Sequence, residues 1–81
     1  MIEVIRELYR RARESMERER QQVRRATLCW EAYALVQRGD FAGAERKLAD
    51  ALTISTEEQK PEIKALRARC RWAQVLRRVD A

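Results

Sequence analysis

Residues 28–52 contain two apolar segments joined by a short polar turn, and their sequence is LCWEAYALVQRGDFAGAERKLADAL. Residues 27–36 are apolar on nearly every side, which is typical of a helix that is contacted from several directions. Gly39 suits the left-handed position that ends a helix, and Asp40 suits the cap that begins the next one. The apolar residues of the second segment then fall on one helical face: Phe41, Ala44, Leu48, Ala51 and Leu52. This central part of the chain therefore predicts a helical hairpin.

The first helix of this hairpin extends far toward the N-terminus, because the sequence has no Gly or Pro between Ile2 and Gln37. Apolar residues recur there in alternating steps of three and four, which is the spacing of a heptad repeat, and polar residues interrupt the series only at Glu19 and Gln37. We call these positions the heptad seam: Ile2, Ile5, Tyr9, Ala12, Met16, Glu19, Val23, Ala26, Trp30, Tyr33 and Gln37. The pattern predicts one long helix over residues 1–38, with a break near Gln21-Gln22 as the alternative.

Two shorter helices complete the predicted fold, over residues 41–54 and 61–79. Pro61 fits the first turn of the third helix, where its missing N–H costs nothing. We expect Trp30 and Trp72 to lie in the core, each at the centre of an apolar face. The apolar face of the third helix comprises Ala65, Ala68, Trp72, Val75, Leu76 and Val79. The prediction is one all-α domain over residues 1–81, a three-helix bundle with a long N-terminal helix, or four helices if the first one breaks.

Residues 28–52 resemble one tetratricopeptide repeat. The small residue of that family's first helix falls on Ala32, and the turn and second helix fall on Gly39-Asp40-Phe41, Ala44 and Leu48. A weaker similarity, carried by Arg67-Ala68-Arg69-Cys70, links the chain to the three-helix bundles of microtubule-interacting-and-trafficking (MIT) domains. Both resemblances imply a protein-interaction role and bring no catalytic residues.

The lengths of the helices predict that the start of the first helix has no partner within the chain. Helices of residues 41–54 and 61–79 can cover only its second half, so about 20 residues overhang. Soluble proteins seldom leave such an apolar stripe in water without a partner. We therefore predict self-association, most simply as a homodimer, through Ile2, Ile5, Tyr9, Ala12 and Met16.

The composition argues against an enzyme and against a cofactor or metal site. The 81 residues include no histidine, no Gly-rich phosphate loop and no C-x-x-C motif. Cys29 and Cys70 are the two cysteines, and we expect them to be reduced and to pack as small apolar residues. No apolar run is long enough to span a membrane, and the early charges argue against a signal peptide. We expect a cytoplasmic protein.

The chain is basic, with 18 Lys and Arg against 13 Asp and Glu. Glutamates interleave with the arginines of the first helix, and the pairs Glu7–Arg11 and Glu14–Arg18 have the favourable i,i+4 spacing of a helix, so a solvated face explains the block. The alternative is a surface that binds polyanions, because guanidinium groups suit phosphates. Its candidate residues are Arg10, Arg11, Arg13, Arg18, Arg20, Arg24, Arg25, Lys64, Arg67, Arg71 and Arg78.

Two functions follow from these features. The first is a non-enzymatic protein-interaction module, an adaptor or chaperone-like subunit, that self-associates through its N-terminal helix. The alternative is a nucleic-acid-binding accessory protein that uses the arginine-rich helix.

Overall fold

A computed structural model of the protein describes residues 1–80; Ala81, the last residue of the predicted domain, lies outside the described part. The three helices are α1 (Ile2–Gln37), α2 (Phe41–Thr53) and α3 (Lys60–Asp80). The all-α fold with a long N-terminal helix is confirmed. The helix ends differ from the predicted ones by one residue at each end of α1, at the end of α2 and at each end of α3. Because α1 runs unbroken through Gln21 and Gln22, the four-helix alternative is wrong.

The turn between α1 and α2 is built by local hydrogen bonds. Gly39 has a φ of 79°, its N–H donates to the Val36 carbonyl at 2.9 Å, and the Asp40 N–H donates to the Leu35 carbonyl at 2.8 Å. This is the Schellman arrangement that ends a helix on a left-handed glycine. The Asp40 carboxylate then accepts from the Gly43 N–H at 2.9 Å and caps α2. The chain therefore reverses within three residues.

The helices pack in the order of the chain, with α2 contacting both α1 and α3. The buried core is made largely of small side chains, which let helix backbones approach closely. Its members are Ala32 of α1, Ala44, Leu48 and Ala51 of α2, and Ile63 and Cys70 of α3. The hairpin of α1 and α2 thus forms one body with α3, over residues 25–80.

The predicted core positions of the two tryptophans are wrong. Trp30 is 71% exposed and Trp72 is 65% exposed. Each lies two residues from a buried small residue, Trp30 from Ala32 and Trp72 from Cys70, and two residues correspond to about 200° around a helix. The side that packs therefore points away from the tryptophan in both helices.

Two broader predictions about packing are wrong for the same reason. Residues 27–36 are covered on one side instead of several, and the apolar face of α3 around Trp72 points to solvent. α3 packs against α2 through Ile63 and Cys70 instead.

Polar contacts reinforce the packing of α3 on α2. Glu45 of α2 accepts hydrogen bonds from Arg71 and, at 2.8 Å, from Gln74. Arg67 Nε lies 3.6 Å from the same carboxylate. At the end of α3, Arg77 donates to the Gly39 carbonyl at 2.8 Å and so holds α3 to the turn.

The N-terminal part of α1 extends beyond the body. Side chains of residues 2–24, which we call the overhang, are exposed apart from the half-buried Glu7. The molecule measures 69 × 21 × 12 Å. Its Cα radius of gyration is 17.9 Å, whereas a compact chain of this length has a radius of about 12 Å. The predicted overhang is therefore present in the structure.

Candidate self-association surface

The heptad seam lies on one face of α1 and is exposed along the whole helix. In the overhang, Ile5 is 64% exposed and Tyr9 is 66% exposed, and Ile2, Ala12 and Met16 are exposed beside them. The structure therefore places the five predicted self-association residues together on one accessible stripe.

The opposite face of the overhang is polar and makes its own ion pairs. Glu7 accepts hydrogen bonds from Arg10 at 2.7 Å and from Arg11 at 3.2 Å, so the predicted Glu7–Arg11 pair is confirmed. This face lies on the same side of α1 as Ala32, which packs against α2. The overhang is thus amphipathic, and its apolar side faces away from the body.

The surface continues past the overhang onto the body, which sequence reasoning missed. Val23, Trp30 and Tyr33 are all exposed, and the two aromatic rings meet edge to face with their centroids 5.9 Å apart. Ala26, Cys29, Trp30 and Tyr33 line a shallow apolar groove there. The heptad spacing itself carried this signal, because it continues from Ile2 to Tyr33 with Glu19 as its one polar position.

The accessible area of the chain is large for its mass. It is 6909 Å², whereas a compact protein of 9.6 kDa exposes about 5,100 Å². The excess is about 1,800 Å², and a protein interface of standard size buries about 800 Å² on each partner. The extended α1 therefore leaves more surface accessible than a compact fold of this mass does.

The arginines of α1 have different local partners. Arg10 and Arg11 are bound to Glu7, the Arg13 guanidinium lies 5.9 Å from the centre of the Tyr9 ring, and Arg25 donates to Gln59. Within residues 1–80 we find no ion pair for Arg18, Arg20 and Arg24, so the predicted Glu14–Arg18 pair is absent there.

The basic residues of α3 do not form one free stripe. Arg67 and Arg71 both approach Glu45, and Arg67 Nε is buried without a hydrogen-bond acceptor in the described structure. Lys64 and Arg78 remain exposed. Hydrogen bonds from Arg71 and Gln74 hold the pKa of Glu45 below its usual range. These charges stabilise the contact of α3 with α2.

The two thiols are free and unactivated. Burial raises the pKa of Cys70, and the nearby Glu45 carboxylate raises it further. Burial also raises the pKa of Cys29, against the opposing effect of Arg25. Both shifts favour the protonated thiol, so neither environment activates its cysteine as a thiolate. The part of the chain that the structure describes contains no group of three or more Cys, Asp or Glu residues that could hold a metal ion.

Among the helices of residues 1–80, none combines the length and apolar composition needed to cross a bilayer. No protein-family profile, curated protein or solved structure matches this chain.

Proposed function

We propose that this protein is a non-enzymatic interaction module, an adaptor or chaperone-like subunit, that self-associates through the heptad seam of α1. The observation that carries the proposal is the exposure of apolar residues at the heptad positions from Ile2 to Tyr33, where Glu19 is the one polar member. Such a stripe is stable in water when another helix covers it.

The energetics of the body support the same proposal. Its core contains three alanines and no buried aromatic residue among the described residues. Because burial of apolar area is the main favourable term in folding, a core of small residues supplies little stability to a chain of this size. Covering the large side chains of α1 adds the burial that the body lacks.

The experiment is a measurement of solution mass by sedimentation or light scattering. We expect the unaltered protein to be a dimer, and Ile5→Asp combined with Tyr9→Asp to be a monomer, because charges on the seam cannot be buried without partners. The matched control is Arg18→Gln combined with Gln21→Asp, which makes the same change in net charge on the polar face of α1. A dimer that survives the first pair of substitutions, or an unaltered protein that is a monomer, contradicts the proposal.

A second candidate function is nucleic-acid binding, and one observation favours it. Arg18, Arg20 and Arg24 lie within two turns of α1, are exposed, and make no ion pair within the described residues. Titration of labelled DNA and RNA at several salt concentrations tests it. Binding through phosphates weakens with salt by a slope of about −0.9 per contact on a logarithmic plot. Absence of binding at about 50 mM salt rejects this candidate.

A further inference from the structure

We infer that the occupant of the heptad seam is a second copy of this chain lying antiparallel, in the register where Tyr9 faces Ala26 of the second copy. This inference rests on the proposed function. It adds the orientation and register, and it makes the Trp30–Tyr33 surface of each body the docking site for the N-terminal turns of the other copy.

The first argument is the alternation of large and small side chains along the seam. One heptad position carries Ile2, Tyr9, Met16, Val23 and Trp30, whereas the other carries Ala12, Glu19 and Ala26 between Ile5 and Tyr33. A parallel dimer places each residue against its own copy, so it stacks two tyrosines in one layer and two alanines in the next. Alternating wide and narrow layers cannot both pack closely.

The antiparallel register combines the two sizes in the layers that contain alanine. Tyr9 packs on Ala26 of the second copy, and Ala12 packs on Val23 of the second copy. Toward the ends of the interface, Ile5 packs on Trp30 of the second copy, which pairs two large side chains. Pairing extends from Ile2 to Tyr33 on both chains, which is about 47 Å of helix. This register therefore leaves no apolar end of the seam uncovered.

The second argument is the polar residue within the seam. In a parallel dimer Glu19 faces Glu19 of the second copy, and two carboxylates in one buried layer repel strongly. In the antiparallel register Glu19 faces Met16 of the second copy, and the two Glu19 side chains fall in adjacent layers, about 4.5 Å apart along the axis, instead of in one layer. The carboxylate then reaches solvent along the edge of the interface.

The residues on the two sides of the seam make different contacts in the antiparallel register. Along one flank, Leu8 meets Cys29 and Ser15 meets Gln22 of the second copy, which are apolar and neutral contacts. Along the other flank, Arg13 meets Arg20 of the second copy. That repulsion acts between exposed charges, which solvent and salt screen. The packing of the interior layers therefore decides the orientation.

The body leaves room for the second copy. α2 packs on the side of α1 that carries Ala32, and Trp30 points the opposite way at 71% exposure. The shallow groove lined by Ala26, Cys29, Trp30 and Tyr33 is open in the structure. It faces Ile2, Ile5 and Tyr9 of the second copy in this register.

The test measures distances between spin labels in the intact protein. Cys29 and Cys70 are replaced by alanine, and one cysteine is introduced at an equivalent heptad position: Glu17→Cys, Arg10→Cys or Glu3→Cys. In the antiparallel register Glu17 lies beside Arg18 of the second copy. The labels on the two copies are therefore separated along the helix axis by close to zero for Glu17→Cys, by about 22 Å for Arg10→Cys and by about 44 Å for Glu3→Cys. A parallel dimer gives one short distance for all three variants.

The outcomes separate this inference from the proposed function. Distances that grow from Glu17 to Glu3 by these amounts support the inference. A dimer with equal distances overturns the inference and leaves the proposed function standing, as does a dimer whose shortest distance lies elsewhere in α1. Absence of any dipolar coupling, together with a monomeric mass for the parent protein, rejects both.

A second measurement uses side-chain size in place of labels. Tyr9→Ala and Ala26→Tyr should each raise the dissociation constant of the dimer. In the combined variant the dissociation constant should be at least tenfold lower than the product of the two separate increases would give. Residues in contact couple in this way, whereas residues more than about 10 Å apart give additive losses. In a parallel dimer these positions are about 25 Å apart, so additivity overturns the register.

Discussion

The core of the body consists mainly of small apolar residues, whereas the heptad seam exposes large ones. The core buries Ala32, Ala44 and Ala51, and its largest members are aliphatic. The seam exposes Trp30 and Tyr33 together with the apolar residues of the overhang. Small residues bring helices together closely but bury little area, whereas large exposed residues gain free energy once they are covered. The difference teaches that the core of the chain and its exposed apolar surface consist of separate sets of side chains, so the proposed association would draw on residues that folding leaves uncovered.

The largest expected effect tests the core. Leu48→Ala removes the largest buried side chain of α2 and should lower the free energy of unfolding by about 2–5 kcal/mol. Denaturant unfolding at fixed protein concentration measures it. The matched control is Leu76→Ala, because Leu76 is exposed on α3 and its truncation should have little effect. Equal losses for the two variants would show that α2 is not the centre of the core.

The next effect compares the two tryptophans. Trp30→Ala should weaken dimerisation by about 30-fold or more, since a buried aromatic anchor contributes at least 2 kcal/mol to an interface. Trp72→Ala, an equal truncation on the outer face of α3, should leave the dimer unchanged. Sedimentation across a range of concentrations measures both. If Trp72→Ala is the variant that dissociates the dimer, then α3 and not α1 carries the interface.

A smaller effect tests the charged contact between α2 and α3. Glu45→Gln should lower the free energy of unfolding by about 1–3 kcal/mol, because it leaves the half-buried Arg67 guanidinium without its ion-pair partner. The folded-state pKa of Glu45 is lowered, so its contribution is complete above the unfolded-state value of about 4.3 and is lost as the pH falls through the folded value. Unfolding measured against pH should show the two proteins converging in acid.

The control for that titration is Glu57→Gln. Lys60 lowers the pKa of Glu57 through a hydrogen bond and its charge, but this pair is on the surface. Solvent screens exposed pairs, so this variant should unfold like the parent at every pH. A Glu45→Gln curve that follows the Glu57→Gln curve would mean that the α2–α3 contact does not depend on the carboxylate.

The smallest effect is local to the hairpin. Asp40→Ala removes the N-terminal cap of α2 and should lower the free energy of unfolding by about 1 kcal/mol. The loss should be the same at all protein concentrations, because the cap belongs to the single chain. Asp50→Ala, an exposed position within α2, is the matched control in thermal unfolding. A cost for Asp40→Ala that appears only where the protein is dimeric would contradict the separation of folding from association.

Local chemistry explains which parts of the fold were predictable. The end of α1 and the start of α2 follow from Gly39 and Asp40, and the start of α3 follows from Pro61, because each acts on its own backbone. The exposed stripe of the overhang followed from heptad spacing and from the lengths of the helices. These signals all lie within a few turns of sequence.

The choice of packed face was not predictable in the same way. Aromatic residues dominate any apolar pattern, so the pattern pointed to Trp30 and Trp72 as core. Close approach of helices instead selected the faces of Ala32 and Cys70, whose apolar signal is weak. The pairing of Arg71 with Glu45 joins residues on different helices, and nothing in the local sequence specifies it.

The order of helix contacts has a consequence for how fast the molecule forms. α1 contacts α2, and α2 contacts α3, so the main contacts join neighbours along the chain across short connections. Helical proteins with such local contacts fold within about microseconds to milliseconds. The rate at which one chain meets a second chain, in contrast, falls in proportion to the protein concentration. We therefore expect each body to be complete before a second copy arrives, so that abundance in solution sets the pace of assembly.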